Sequence, residues 1–309
     1  MKLLFMGTPD FAATVLEKLL ASGHELIGVV TQPDKQKGRG HEVAFSPVKE
    51  LALKHEIPIY QPLKVKEEAF LQTVRELAPE VIVVAAFGQI LPKVFLDIPS
   101  NGCINVHASL LPKYRGAAPI QYCILDGEEE TGITIMHMDV GVDTGDIILQ
   151  AKLPIAKEET GGSLFDKMAI LGGELLVEAL QKIENKTAER IPQDNDKANY
   201  VKMITKEMGK IDFSLPAIVI ERLIRGLNPW PSAYTYLEGK TLKLWKAEVS
   251  EGEYQGAPGQ VVEVGKDSLK VMTGDGLLAI KELQLEGKKR MAVEAFLRGY
   301  PVQTGLILG

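Results

Sequence analysis

Three polar side chains stand where apolar strands should end. Asn105-Val106-His107 closes the run Cys103–Val106. Residues two apart on a strand point to one face, so the Asn105 carboxamide and the His107 imidazole can converge. Further along, His137-Met138-Asp139 ends a second apolar run. It leads into Val140-Gly141-Val142-Asp143-Thr144-Gly145-Asp146, a glycine-containing turn able to bring Asp143 to His107. An Asn, a His and an Asp on adjacent strand ends make an acyl-transfer set. The amide donates to a developing oxyanion, and the imidazole does the same or acts as general acid. The carboxylate holds the imidazole or relays protons through water. Asp139 and Asp146 compete with Asp143 on sequence alone, and both are equally turn or cap residues. The Asn105–His107 pair also has a plain structural reading, as partners in a hydrogen bond.

These residues need a sheet beneath them. The first half of the chain alternates short apolar runs with segments of helical period. Leu3–Met6, Glu25–Val30, Ile57–Tyr60, Val81–Ala86, Cys103–Val106, Ile133–Met138 and Ile147–Leu153 read as strands. Val81–Ala86 is nearly uninterrupted apolar sequence, the mark of a central parallel strand covered on both faces. Phe11–Leu20, Glu67–Leu77, Ala117–Leu125 and Ser163–Ile183 read as helices. The first puts Phe11, Val15, Leu16, Leu19 and Leu20 on one face, with Asp10 placed to cap it. The alternation predicts an α/β domain with a doubly wound, mostly parallel sheet over residues 1–184. Such sheets bind ligands at the carboxyl ends of their strands, which is where Asn105 and His107 fall. Residues 185–205 are polar, with Pro192, Gln193, Asp194, Asn195 and Asp196 in succession, and read as a linker. Over 206–309 a helix at Pro216–Gly226 precedes the short alternating runs Ala233–Leu237, Thr241–Val249, Gly259–Val264, Ser268–Thr273 and Leu277–Leu285. That spacing predicts a small OB-like β-barrel, ended by a short helix near Ala292–Arg298.

Composition narrows the function classes. The 309 residues include 35 Lys and Arg against 41 Asp and Glu, net −6, which excludes a histone-like basic protein. It leaves room for a nucleic-acid binder with local positive patches. From Lys206 onward 14 basic residues face 13 acidic ones, whereas residues 1–205 hold 21 and 28. Cys103 and Cys123 stand far apart without a C-x-x-C, against a zinc ribbon or a disulfide framework. No apolar run reaches the ~18 residues of a membrane helix. Gly7-Thr8-Pro9-Asp10 cuts the apolar start too short for a signal peptide, so a cytoplasmic enzyme is expected, monomeric by default. The turn Gly7–Ala12 lacks G-x-G-x-x-G, and Asp10 would repel a pyrophosphate there. A P-loop is absent as well. Cys103 reads as buried filler and Ser109 as a turn residue. His24, His41 and His55 read as solvent-facing, and His137 as a core residue or a neighbour of the site.

Asn105-Val106-His107-Ala108-Ser109-Leu110-Leu111-Pro112, with Val142-Asp143-Thr144-Gly145-Asp146, resembles the signature of the folate-dependent formyltransferases. Lys113-Tyr114-Arg115-Gly116-Ala117-Ala118-Pro119-Ile120-Gln121, Gly7-Thr8-Pro9-Asp10-Phe11-Ala12 and Asn228-Pro229-Trp230-Pro231 are most similar to the members that act on methionyl-tRNA. The resemblance spans nearly the whole chain. It implies that Asn105, His107 and Asp143 are catalytic, that 10-formyltetrahydrofolate is the formyl donor, and that methionyl initiator tRNA is the acceptor. No metal is implied. It places the folate beside Phe87, Gln89, Ile90 and Leu91, beside Met138 and Val140, and along Ser109, Leu110, Leu111 and Pro112. Lys35, Lys37 and Arg39 then belong to a loop that engages the acceptor end of the tRNA. The second domain would hold the tRNA body, with Lys206, Lys210, Lys243, Lys246, Lys288, Lys289 and Arg290 as candidates. Rival readings keep the same catalytic set. One is a formyltransferase for an amino-sugar nucleotide or glycinamide ribonucleotide, and another is a 10-formyltetrahydrofolate hydrolase. A non-catalytic RNA-binding scaffold is disfavoured because all three chemical residues are present.

Overall fold

Apolar runs too short for helices become strands, and the helix-period segments between them return the chain to the same sheet edge. A computed structural model describes residues 1–37 and 42–309. In order, the first part contains β1 (Lys2–Gly7), α1 (Asp10–Leu20), β2 (Glu25–Val30), β3 (Lys35–Lys37), β4 (Glu42–Ala44), α2 (Pro47–Lys54), β5 (Ile59–Tyr60), α3 (Glu68–Leu77), β6 (Val81–Ala85), α4 (Lys93–Leu96), β7 (Cys103–His107) and β8 (Arg115–Gly116). Then come α5 (Pro119–Leu125), β9 (Glu130–His137), β10 (Ile147–Pro154), α6 (Gly161–Glu184) and β11 (Tyr200–Val201). The last part holds α7 (Ala217–Gly226), β12 (Ala233–Leu237), β13 (Lys240–Ser250), β14 (Val261–Val264), β15 (Leu269–Met272), β16 (Leu277–Leu285), β17 (Met291–Ala292) and α8 (Val293–Gly299).

The chain divides into two compact units. One comprises Met1–Pro119, Glu130–Pro154 and Phe165–Val201; the other comprises Ile120–Glu129, Ile155–Leu164 and Lys202–Gly309. Residues 120–129 and 155–164, inside the stretch 1–184 read as the first domain, group with the C-terminal unit. The reading of 185–205 as a linker changes. Ile191 bridges Ile147, and Tyr200–Val201 pairs in parallel with Arg115–Gly116, so most of this segment is bound to the first unit.

The first unit is built on a seven-stranded sheet of order β10-β9-β7-β6-β1-β2-β5. β7, β6, β1, β2 and β5 run parallel, while β9 and β10 are antiparallel to their neighbours. The chain leaves β1 toward β2 and β5, then returns to the other side of β1 with β6. That reversal opens a crevice at the carboxyl ends of the strands. Leu3, Leu4, Phe5, Met6 and all of β6 are buried, as the apolar runs required. On one sheet face Phe11 of α1 meets Phe165 of α6 edge-on at 5.7 Å. On the other, Phe70, Leu71 and Val74 of α3 and Phe95 and Leu96 of α4 pack with Ile82, Val84 and Cys103. Asn105 and His107, in register with Cys103, share that second face. Asp10 lies in the first turn of α1 rather than capping it; Pro9 takes the cap position.

Within the segment read as a loop, Lys35–Lys37 forms β3, which pairs antiparallel with β4, Lys35 opposite Ala44 and Lys37 opposite Glu42. Its start is pinned, since Asp34 accepts from both Lys49 and Gln61. Arg39 and His41 lie outside the described residues.

The second unit is an antiparallel sheet of order β12-β13-β16-β15-β14, with β17 added to β16. One face is apolar: Leu242, Leu244, Val271, Leu278, Ile280 and Leu283 pack against Ile220 and Ile224 of α7 and Phe296 of α8. Among the described residues no helix is long and apolar enough to cross a membrane.

Phe5 is fully buried at the centre of the first sheet. Phe5→Ala should remove about 3–5 kcal/mol of stability. Urea unfolding of the first unit, followed with the m-value, will show a lower midpoint at unchanged slope.

Candidate active site

β7 delivers its last residues into the crevice. Asn105 is half-buried, and its carboxamide has no protein partner among the described residues. His107 is nearly enclosed, with 7% of its side chain exposed. Its Nε2 lies 2.9 Å from the Tyr114 carbonyl oxygen. A carbonyl can only accept, so Nε2 carries a proton and donates. The other ring nitrogen, Nδ1, faces Asp143 Oδ2 at 3.6 Å. Nδ1 is thus the position at which His107 can gain or lose a proton. The expectation that the imidazole addresses an oxyanion directly is narrowed to that one nitrogen.

The three competing carboxylates separate cleanly. Asp139 Oδ1 accepts from Gly141 N–H at 2.9 Å and from the Thr144 hydroxyl at 2.6 Å, so it builds the turn. Asp146 lies 4.0 Å from Arg190. Asp143 alone of the three reaches His107. Its Oδ2 also accepts from Gly116 N–H at 2.7 Å, and its backbone is left-handed with φ of 54°. Two glycines make this approach possible. A Cβ on Gly116 would lie 2.4 Å from Val201 O, and one on Gly145 would lie 1.8 Å from His137 O.

The loop 108–116 is held from inside. Ser109 is fully buried, and its hydroxyl donates to Lys113 O at 2.7 Å. Leu111 N–H donates to Thr134 Oγ1 at 3.1 Å, and Leu111 packs with Met136 and Ile147. Ser109 and Leu111 therefore shape the loop from below and present little to a ligand, whereas Leu110 is only half-buried. Pro112 begins the turn that carries Tyr114. On the far side of Asn105, Phe87 and Leu91 are buried in one cluster with Cys103, and Met138 packs against it. The segments around 87–91 and 138–142 thus converge on the Asn105 face. Their apolar tips are bare: Ile90 is 79% and Val140 69% exposed. Gln89 is tied down, accepting from Val65 N–H at 3.1 Å.

Candidate nucleophiles are spent. Burial pushes the Cys103 thiol up to about 12, with Asp97 adding to the effect. The Ser109 hydroxyl is committed to the loop. Among the described residues no group of three His, Cys, Asp or Glu side chains is placed to hold a metal. Sequence reasoning missed Tyr114, Gly116, Gln193 and Asn199. Asn199 accepts from Tyr114 N–H, which fixes the carbonyl that His107 uses. Neither periodicity nor composition marks these four.

In the second unit, Lys206, Lys210, Lys288 and Lys289 are exposed and have no ion-pair partner among the described residues. Lys246 pairs with Glu158 at 3.2 Å, and Arg290 pairs with Glu282. Lys243 and Arg290 also approach the ring of Trp245, at 5.7 and 4.9 Å, an aromatic the sequence reading passed over. Lys35 and Lys37 lie on the backbone of β3.

The fold and this strand-end constellation define a class, and the comparisons name it. A family model described as formyl transferase matches residues 1–180, and one described as formyl transferase, C-terminal domain, matches residues 203–301. The chain belongs to the formyl transferase family. A methionyl-tRNA formyltransferase of Agathobacter rectalis is 54% identical, covering 99% of this chain and 98% of that protein. One from Alkaliphilus oremlandii is 50% identical over the full length of both. Among solved structures, an N-formyltransferase from Helicobacter canadensis in complex with folinic acid and dTDP-3-aminofucose matches with a TM-score of 0.69 at 23% identity. That match covers 94% of this chain and all of the other, and it speaks for the fold.

His24, read as solvent-facing, is half-buried against the N-terminal amine, while His55 is exposed. His137 lies behind the Asp143 turn, and burial, helped by Arg190 and opposed by Asp146, lowers it to about 4. The unfolded chain protonates this residue near its ordinary 6.5, but the folded protein does not until about 4. Folding stability carried by the neutral form is therefore whole above the upper value and declines as pH falls through the window. His137→Asn should flatten that decline relative to wild type, as read by urea midpoints measured across the window.

Proposed function

We propose that this protein transfers a formyl group from 10-formyltetrahydrofolate to the free α-amine of methionyl initiator tRNA, in the cytoplasm. The observation that carries the chemistry is the juxtaposition at the end of β7: an Asn105 carboxamide with no protein partner among the described residues, on one face with an imidazole whose other nitrogen meets a carboxylate. The acceptor is the one named for the relatives that match over the full chain. A folate is the ligand present in the solved relative from Helicobacter canadensis.

The residues fit a flat, partly apolar donor. Ile90 and Val140 offer bare apolar surface on the two segments that flank Asn105, above the cluster of Phe87, Leu91, Cys103 and Met138. The acceptor amine adds to the formyl carbon, and the oxygen of that carbon gains negative charge. Asn105 donates an N–H to it. A bond forms to the amine and the bond to the donor nitrogen breaks. One proton leaves the amine and one arrives at the departing nitrogen. His107 Nδ1 and Asp143, side by side, hold and hand over that proton. No covalent enzyme intermediate is needed, because an amine is already a competent nucleophile. Lys35, Lys37 and Arg39 attract the acceptor end, and the exposed lysines of the second unit attract the tRNA backbone.

Labelled 10-formyltetrahydrofolate offered with methionyl initiator tRNA, with an amino-sugar nucleotide, with glycinamide ribonucleotide or with water alone will test the reading. Label is expected in the tRNA; label in a sugar or ribonucleotide, or release as formate, overturns it. Asn105→Ala, His107→Ala and Asp143→Ala should each lower kcat, on the order of 10²–10³-fold for the loss of an oxyanion donor. Steady-state rates with intact circular dichroism will check this. Arg39→Ala should raise the tRNA KM or lower kcat, weaken the salt dependence of tRNA binding, and leave folate binding unchanged. An equal defect in folate binding would place that residue in the donor pocket instead.

A further inference from the structure

Gln193 sits in the polar segment after α6, far in sequence from β7, yet its side chain touches the turn that presents Asp143. Its Nε2 donates to Asp143 O at 2.9 Å and to Gly145 O at 2.7 Å. Its Oε1 accepts from Arg115 Nε at 3.1 Å and Nη2 at 2.8 Å. Two carbonyls on one side need a donor, and a guanidinium on the other needs an acceptor. A primary amide turned this way satisfies both, and of the ordinary side chains a glutamine has the reach. Arg115 is 2% exposed, and its other partners are Asn195 Oδ1 and the Tyr200 hydroxyl. Its neighbour Gly116 supplies the N–H that binds Asp143 Oδ2.

Asp143 is therefore gripped at both ends. The Gly116 N–H holds its carboxylate, and Gln193 holds its carbonyl. A non-glycine residue at φ of 54° lies in a strained backbone region and persists where surroundings over-determine it. The Gln193 amide is the over-determining contact. Through Arg115 it also links the Asp143 turn to the strand that carries Gly116, so one side chain sets the spacing between the two.

We propose that Gln193 is a positioning residue for the formyl-transfer reaction, acting through Asp143 and touching neither substrate. This rests on the reading of Asp143 as part of the catalytic set. Two substitutions separate its functions. Gln193→Glu keeps the acceptor for Arg115 but sets a carboxylate oxygen against two carbonyls. Gln193→Met keeps the length and removes both functions.

Gln193→Glu should lower kcat about 10- to 100-fold, the cost of a catalytic group displaced by about an ångström. The KM values for donor and acceptor should stay within about twofold of wild type. In an Asp143→Ala background the same change should cost nothing further, because its effect passes through the missing carboxylate. A merely structural residue would lower both backgrounds alike. Full kcat in folded Gln193→Glu and Gln193→Met, an equal additional loss in the Asp143→Ala background, or loss of fold in both variants would overturn the proposal. Wild-type turnover by Asp143→Ala alone would instead remove the reading of Asp143 on which it rests.

Discussion

A guanidinium cannot be buried without acceptors for its donors, and Arg115 is almost wholly buried. Its side chain draws in Gln193, Asn195 and Tyr200, all from the stretch between α6 and β11. Removing the partners of a buried charge costs roughly 3–5 kcal/mol, more than a polar connecting segment gains by staying in water. The segment therefore binds to the first unit instead of trailing from it. Once there, it pairs β11 with β8 and lends Asn199 to Tyr114 N–H. The imidazole of His107, the carboxylate of Asp143 and their supports follow from this one buried cation: Tyr114 faces His107 Nε2, and Gly116 faces Asp143.

Much of the first sheet was legible because its physics is local. β1 and β6 are apolar runs whose length and company leave no other reading, and α1 and α3 show their buried faces directly in the spacing of residues such as Phe11, Val15 and Leu16. Asn105 and His107 were legible for a related reason: polar residues two apart at the end of an apolar strand have to share a face. The choice among Asp139, Asp143 and Asp146 was not legible from spacing, and only the family resemblance singled out Asp143. It depends on a left-handed residue and two close glycine approaches, neither of which leaves a periodic trace.

The segment 185–205 misleads for the opposite reason. Its polarity suits a solvated linker, but the same amides and hydroxyls are what a buried arginine and a turn of free carbonyls require. Composition measures how polar a stretch is, not what its polar groups meet. Arg115 offers a sequence-level hint, one of two cations with Lys113 in a loop otherwise rich in Leu, Ala and Pro, and that hint says partners are needed without saying which. In the second unit the alternation of β12 and β13 gave the strands, since one face of each is apolar and the other wet. The capture of residues 120–129 and 155–164 by that unit is a long-range packing outcome invisible to any short window.

The site's economy follows from what its residues can no longer do. The Cys103 thiol is held protonated by burial, and the Ser109 hydroxyl is locked to a carbonyl. His107 cannot turn its ring, because Nε2 is bound to Tyr114 and Asp143 stands at the other edge. A group fixed at one nitrogen and open at the other is well made to carry one proton along one direction. Asn105, by contrast, has no protein partner among the described residues, so its donors are free to meet an oxygen on which charge appears. Such a division, with one side chain waiting for an oxygen and a fixed pair waiting for a proton, suits an incoming nucleophile that brings its own reactivity and needs only to lose a proton as it bonds.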